Sequence, residues 1–352
     1  MRPNIPALTS LRFFAALLVV IFHYNLSHPF FPNWIAGQGY AAVTFFFVLS
    51  GFILTYVHYE AGSGLNLSYR RFMWSRLLRI GPTYFLAITL IFALYFIAGI
   101  LRDIDPLRAG LVLLMLQSWL PSSALYLNPP AWSLSNEIFF YLLFPPIIRI
   151  LTRSEKTVLA FLATIAVLVC IVTLLRMKML GDLKSPVSYF VAYFPLLNLP
   201  QFLLGIVLGY FFIVKPADRK ACALAFSFGV AAFLILIFIR PPQILSANTA
   251  LFCVVFVSII YGAAGDRGVA HTILSHRALL FLGDASYAIY ILHFPIWLWW
   301  NHFTSVAYQA NLPLIVDFSI YIAAVVIGSA ITLVFVERPV RRTLKTRHHS
   351  GH

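Results

Sequence analysis

Arg12 and His23 stand eleven residues apart in LTSLRFFAALLVVIFHY, an otherwise apolar run. At 100° per residue that spacing brings two side chains within about 20° of one helix face, and a 1.5 Å rise sets them about 16 Å apart along it. A guanidinium on that face can hold an anionic group. An imidazole, which titrates near neutrality, can take the proton of a hydroxyl. Placing an ionisable group in an apolar span is costly, so both are candidates for function by default. The plainer reading has Arg12 snorkelling to the interface and His23 lying in it.

Four further places carry chemistry. In YRRFMWSRLLRIGPTY, Arg76 and Arg79 are three residues apart and share a helix face, with Arg70 and Arg71 one to two turns earlier. Guanidinium pairs suit phosphate recognition, though a basic cluster can also mark topology or anionic lipid. In FFFVLSGFIL, Ser50 and Gly51 interrupt an aromatic run; Gly permits close backbone approach and Ser a hydrogen bond across helices. In NPPAWSLSNEIFFYLLFPP, Ser133 or Ser135 would cap a helix starting near Asn136. Glu137 then sits in its first turn at the outward membrane edge, where the helix dipole favours a carboxylate. Beside Trp132 and Tyr141 it would orient a histidine or bind sugar hydroxyls. In LGDASYAIYILHFPIWLWW, His293 lies mid-span two residues before Pro295, which is expected to bend or break the helix. Cys170, Cys222 and Cys253 lie in apolar runs without metal-type spacing, so no metal is expected.

These residues need elements to position them, and composition says what kind. Of 352 residues, 61% are hydrophobic and 10% charged, with a mean hydropathy of +0.89. A soluble domain is nearer ~45–50% apolar and ~25% charged. That excludes an ordinary soluble enzyme, a disordered chain and a secreted disulfide scaffold. The expected fold is an all-α polytopic membrane protein. Apolar stretches predict spans near Leu8–Tyr24, Tyr40–Val57, Ile80–Leu101, Glu137–Ile150, Thr157–Leu175, Leu196–Val214, Ala221–Ile239, Thr249–Ala264, Leu279–Trp300 and Leu314–Val336.

The net charge of +14 decides the shorter stretch Leu107–Leu120. If it does not cross and the N-terminus is cytoplasmic, 18 Lys and Arg fall inside and six outside. If it crosses, the basic tail faces outward. The bias of Lys and Arg to cytoplasmic loops favours about ten crossings, both ends cytoplasmic, and a re-entrant or surface helix at Leu107–Leu120. The expected organisation is one transmembrane domain over 1–340 and a basic cytoplasmic tail over 341–352, with no cleaved signal peptide and no appended soluble domain. Basic residues scattered over short loops do not suggest a nucleic-acid partner.

Taken in order, the motifs resemble acyltransferase family 3, a family of integral-membrane acyltransferases, over nearly the whole chain. Leu-x-x-Leu-Arg with its later His is matched by Arg12 and His23. FFFVLSGFIL matches the second-helix motif with Ser50 and Gly51. Arg76, Arg79, Pro82 and Tyr84 match Arg-x-x-Arg-Ile-x-Pro-x-Tyr. Trp132, Ser133, Glu137, Phe140 and Tyr141 match Trp-Ser-Leu-Ser-x-Glu-x-x-Phe-Tyr. Pro200 to Gly205, Ser286-Tyr287 with His293 and Pro295, and Glu337-Arg338-Pro339 match the three later motifs. The chain departs from the pattern at Thr9, often Asp, at Ile138, often a second Glu, and at Gln201, where the pattern has Glu.

The resemblance implies transfer of an acyl group, usually acetyl, from acyl-CoA on the cytoplasmic side to a hydroxyl of an exopolysaccharide, O-antigen, peptidoglycan, antibiotic sugar or other lipid-linked glycan. It implies a bacterial inner membrane, no permanently bound cofactor, and polysaccharide-assembly proteins as partners. On that reading Arg76 and Arg79, with Arg70, Arg71 and Ser50, hold the donor, whose pantetheine arm threads toward His23. His23 deprotonates the acceptor or takes up the acyl group. Arg12 holds the donor or a developing oxyanion, and Glu137 orients His23 or the acceptor. Trp132, Tyr141, Tyr287 and His293 are structural or line the acceptor side. The rival readings are a secondary transporter or proton relay and a non-catalytic scaffold.

Overall fold

The computed structural model describes residues 2–61, 64–65, 68–179, 185–215, 218–239, 249–265, 268–307 and 312–340. The tail expected at 341–352 lies outside them. In lipid a backbone must satisfy its own polar groups, and these apolar runs do so as helices. In chain order they are α1 (Pro6–Ser27), α2 (Asn33–Ala36), α3 (Gly39–His58), α4 (Tyr69–Ile97), α5 (Pro106–Leu113), α6 (Trp132–Leu151), α7 (Glu155–Lys178) and α8 (Pro186–Tyr193). There follow α9 (Pro195–Val214), α10 (Arg219–Ile239), α11 (Thr249–Gly265), α12 (Val269–Leu274), α13 (Arg277–Asp284), α14 (Ser286–Asn301) and α15 (Leu314–Thr332). A short hairpin pairs Tyr59–Glu60 with Gly64–Leu65.

Among the described residues eight helices are long and apolar enough to cross a membrane. A ninth span is a pair, α13 and the helix from Ser286 to Thr304, bent by 59°. The tenth expected span is α11, apolar but only 17 residues long. Large apolar side chains such as Phe96, Leu174, Leu224 and Phe335 stand exposed on the outer faces, where lipid covers them. The chain is an integral membrane protein.

Three boundaries differ from expectation. Helix α4 starts at Tyr69, not near Ile80, so all four of its arginines are helical. Helix α6 starts at Trp132, not near Asn136, so Glu137 lies more than a turn inside it. Ser133 and Ser135 therefore cap nothing: Ser133 Oγ meets the Tyr290 hydroxyl at 2.8 Å, and Ser135 Oγ accepts from the Ser118 N–H. The kink falls between Asp284 and Ser286, while α14 runs through Pro295. Pro295 has no N–H for the carbonyl four residues back. That carbonyl, on Ile291, accepts instead from Asn128 Nδ2 at 3.2 Å. Asn128 belongs to an irregular, partly buried run after α5, with Gln117 and Ser118 also buried. Leu107–Leu120 thus holds one eight-residue helix and no crossing helix. Irregular backbone at this depth survives because protein, not lipid, surrounds it.

Helix α1 packs on α3, α13 and α14, and α14 packs on α4 and α15. The last turns of α1 and α14 and the first turn of α15 are tied by Asp317. Its carboxylate accepts from the Tyr24 hydroxyl at 2.6 Å and from Trp300 Nε1 at 2.8 Å. Tyr24 stacks on Tyr321, whose hydroxyl donates to the His293 carbonyl. The clamp therefore fixes the backbone on which His23 and His293 sit. Asp317→Ala leaves two donors unpaired, at about 1–3 kcal/mol each. The melting midpoint of the purified variant in detergent is expected to fall by several degrees.

Candidate active site

Helices α1, α3, α4, α6 and α14 enclose a cavity of about 520 Å³. Its lining begins at Pro3, Asn4, Tyr56, Val57, His58 and Ser75, at the end of the bundle where α1 starts and α3 stops. It reaches inward to Val43, Phe46, Ser133 and Tyr290. A pocket of this size can enclose a small molecule or the arm of a larger one.

Most of the polar residues singled out in the sequence converge here. Arg12, Ser50, Arg76, Arg79, Glu137, Tyr141 and Tyr287 all line the cavity. They arrive from α1, α3, α4, α6 and α14, so the site exists only when the bundle is assembled. The Tyr141 hydroxyl donates to Glu137 Oε2 at 3.0 Å, one turn along α6. Arg79, Arg12 and Arg76 are the cations whose charge bears on Glu137. The Arg76 guanidinium lies over the Phe72 ring, 5.5 Å from its centroid. The Tyr287 hydroxyl donates to the Ile80 carbonyl at 2.6 Å, fastening α14 to α4 beside Arg79. Three guanidinium groups against two carboxylates, Glu137 and Asp284, make the lining fit an anionic ligand.

Other expected members are elsewhere. Arg70 and Arg71 sit exposed in the first turn of α4, outside the lining. Trp132 is buried, with its ring against Tyr193 and Phe47, and does not line the cavity. Glu137, expected at the outer edge and within reach of His23, instead faces the arginines. The extra helical residues ahead of it set it more than a turn inside α6.

His23 does not line the cavity either. It pairs with His293: His293 Nε2 lies 3.1 Å from His23 Nδ1. His23 Nδ1 also faces the Val19 carbonyl at 2.9 Å, and His293 Nδ1 faces the Ile289 carbonyl at 3.2 Å. Carbonyls only accept, so in the neutral pair both protons sit on Nδ1. His23 then donates toward His293 Nε2 as well as Val19, and the lone pair of His23 Nε2 stays available. This is a base whose tautomer is set by its neighbour, the usual way a histidine is prepared for proton transfer. The inner end of the cavity is close by. Tyr290, in its wall, has its ring centroid 6.3 Å from that of His293, one turn along α14.

Two residues of this assembly went unremarked in the sequence. Tyr290 is the second tyrosine of Ser-Tyr-x-x-Tyr-x-x-His-x-Pro and could have been read from that spacing. Asp317 is an acid near the start of an apolar span, itself a signal of function or buried pairing.

Comparison with known proteins gives the family. The profile of an acyltransferase domain, Acyl_transf_3, matches residues 5–334. The chain is 29% identical over 317 residues to the acyltransferase MdmB of Streptomyces mycarofaciens, covering 83% of this chain and 79% of that protein. It is 26% identical over 363 residues to the O-acetyltransferase OatA of Staphylococcus aureus, and 25% identical over 362 residues to the putative peptidoglycan O-acetyltransferase YrhL of Bacillus subtilis. Each of these alignments takes in 96% of this chain but only 57% of OatA and 55% of YrhL, so the chain spans little more than half of either. No solved structure matches. The chain belongs to acyltransferase family 3, and it is an integral membrane acyltransferase.

Proposed function

We propose that the chain transfers an acyl group, in the first instance acetyl, from acyl-CoA to a hydroxyl of a carbohydrate, such as an exopolysaccharide, an O-antigen or another lipid-linked glycan. The observation that carries this reading is the convergence of Arg12, Arg76, Arg79, Ser50 and Glu137 on one deep cavity whose inner end adjoins the His23–His293 pair. The cavity mouth and both chain ends face the cytoplasm of a bacterial inner membrane, which is where acyl-CoA is made and where the Lys and Arg bias sets them.

The donor's phosphates rest on Arg76 and Arg79, and its pantetheine arm runs inward past Ser50. Arg12 is about 16 Å along α1 from His23. It therefore steadies the donor and does not touch an oxyanion formed near His23. Glu137 keeps the guanidinium groups apart and oriented. At the inner end, His23 Nε2 accepts the acceptor's hydroxyl proton as the oxygen attacks the thioester carbonyl. The carbon–sulfur bond breaks and the thiolate of CoA takes the proton from His23. His293 holds His23 in the required tautomer. Acyl-CoA is a substrate here, and no resident cofactor or metal is needed for these steps.

Mass spectra of surface glycans from cells with wild type, with a deletion and with His23→Ala test the reading. An alkali-labile acyl mass found only with wild type supports it; three identical spectra contradict it. The donor assignment makes a separate prediction. Replacing Arg76 and Arg79 together by Ala removes two charge-assisted contacts, and the KM for acetyl-CoA is expected to rise at least tenfold. Replacing Arg70 and Arg71, which lie outside the lining, is expected to change it about twofold through screened charge alone. Steady-state rates in isolated membranes read both.

A further inference from the structure

A second polar pocket lies beyond the inner end of the cavity. Val43 and Phe47 line both, so one strip of α3 is a shared wall. On its far side stand Arg176 at the end of α7, Asn198 and Gln201 on α9, Tyr40 on α3 and Trp132 on α6. This pocket is also near the histidines: the Phe22 ring touches both His23 and Tyr40.

Arg176 is placed oddly. It lies in the last turn of α7, and every group it donates to among the described residues is a neutral acceptor. One terminal nitrogen donates to Thr249 Oγ1 at 2.6 Å; the other donates to Asn198 Oδ1 at 2.8 Å and the Ala192 carbonyl at 3.3 Å. No carboxylate among the described residues pairs with it. Its Nε is buried without a partner, and so is Gln201 Oε1. Gln201 is 1% exposed and joins the same set through Nε2, which donates to Asn198 Oδ1 at 3.3 Å. Arg176 as a whole is only part-buried, but its Nε is buried, and a buried orphan donor is costly. The open space is about 10 Å³, room for one oxygen atom. The pocket thus offers one donor of positive charge, one acceptor, and an aromatic wall of Tyr40 and Trp132.

We propose that this pocket is the acceptor subsite and that it takes an anionic group of the glycan. One oxygen of a carboxylate or phosphoryl group fills that space and accepts from Arg176 Nε. Donor and acceptor then approach the histidine pair from opposite sides of the Val43–Phe47 wall. The proposal rests on the acyltransferase reading above and adds the charge class of the acceptor: a uronic-acid carboxylate or a glycan phosphate.

The test uses the full chain in nanodiscs, as wild type and with Arg76→Ala and Arg79→Ala together, which removes two of the three guanidinium groups of the first cavity. Thermal melting is followed with sodium glucuronate, inorganic phosphate or glucose at fixed ionic strength. In both proteins glucuronate or phosphate is expected to raise the midpoint by about 2–5 °C at saturation, and glucose not at all. Glucuronate alone identifies the carboxylate; phosphate alone identifies the phosphoryl group. Arg176→Gln should abolish the response. Gln201→Glu keeps Arg176 and supplies an internal counter-charge, so it should raise the midpoint without additive and lose the response. This second variant carries the test if Arg176→Gln does not fold. No response to either anion in wild type, or an undiminished response in Gln201→Glu, overturns the proposal. Acetyl transfer to native membranes is measured on the same wild-type preparation. Transfer without anion response sinks the subsite only, whereas anion response through Arg176 without transfer sinks the acyltransferase reading only.

Discussion

His23→Ala is expected to lower acyl transfer by about 10²–10⁴-fold, the usual contribution of a general base. The variant should still reach the membrane in wild-type amount, because His23 is only partly buried. The argument is one of proton placement. The Val19 and Ile289 carbonyls hold the Nδ1 protons of the two histidines, and His293 Nε2 accepts the remaining contact from His23. Only His23 Nε2 is then left with an available lone pair. His293→Ala removes the partner and not the base, so it should cost less, about tenfold. Initial rates with labelled acetyl-CoA, normalised to protein by blotting, read both variants. A His23→Ala rate above one tenth of wild type would remove His23 from the chemistry.

Gly51→Ala or Gly205→Ala is expected to be among the costliest single-methyl additions at the described glycines. A Cβ at Gly51 would lie 2.1 Å from the Phe202 carbonyl oxygen, and one at Gly205 would lie 2.0 Å from that of Val48. These atoms are backbone and cannot swing aside, so α3 and α9 must separate. Helices in lipid associate through close packing of this kind, with small residues at the crossing. Separation pulls Val43, Phe47, Leu49 and Ser50 out of register, and with them the walls of both pockets. The expected result is a midpoint lowered by about 10 °C or more, or no folded protein in the membrane. Gly81→Ala is the control: its Cβ would meet only Phe85, at 3.8 Å, and Ala favours a helix over Gly by about 1 kcal/mol. A stable Gly51→Ala protein would mean that the two helices cross elsewhere.

Much of this was legible in the residues. The Arg12–His23 spacing, the Arg76–Arg79 pair and the Ser50-Gly51 break each marked a helix face, and all but His23 and Gly51 line one cavity. Gly51 was readable as a close approach, but its partner Gly205 was not, because periodicity along one helix says nothing about which helix it meets. The same limit hid the His23–His293 pair: 270 residues separate them, and only the packing of α1 on α14 joins them. Glu137 was misplaced because Ser133 and Ser135 looked like caps of a helix starting near Asn136, whereas the helix already starts at Trp132 and both serines bond to other elements. Pro295 was expected to break its helix. Asn128, from a distant loop, satisfies the carbonyl it frees, and one sequence cannot show that neighbour. Arg176 was one of the six basic residues counted outside, since a charge at a span end is usually a topology signal.

The most direct test is donor-dependent transfer by the purified protein. It would be reconstituted into vesicles that also carry the lipid-linked glycans of its host, with acetyl-CoA labelled on the acetyl group. Wild type is predicted to move the label onto the glycan as an alkali-labile ester, with a raised KM in the Arg76→Ala, Arg79→Ala variant and almost no product with His23→Ala. Vesicles in which wild type leaves all label on CoA, or in which His23→Ala labels the glycan as fast as wild type, would contradict the account.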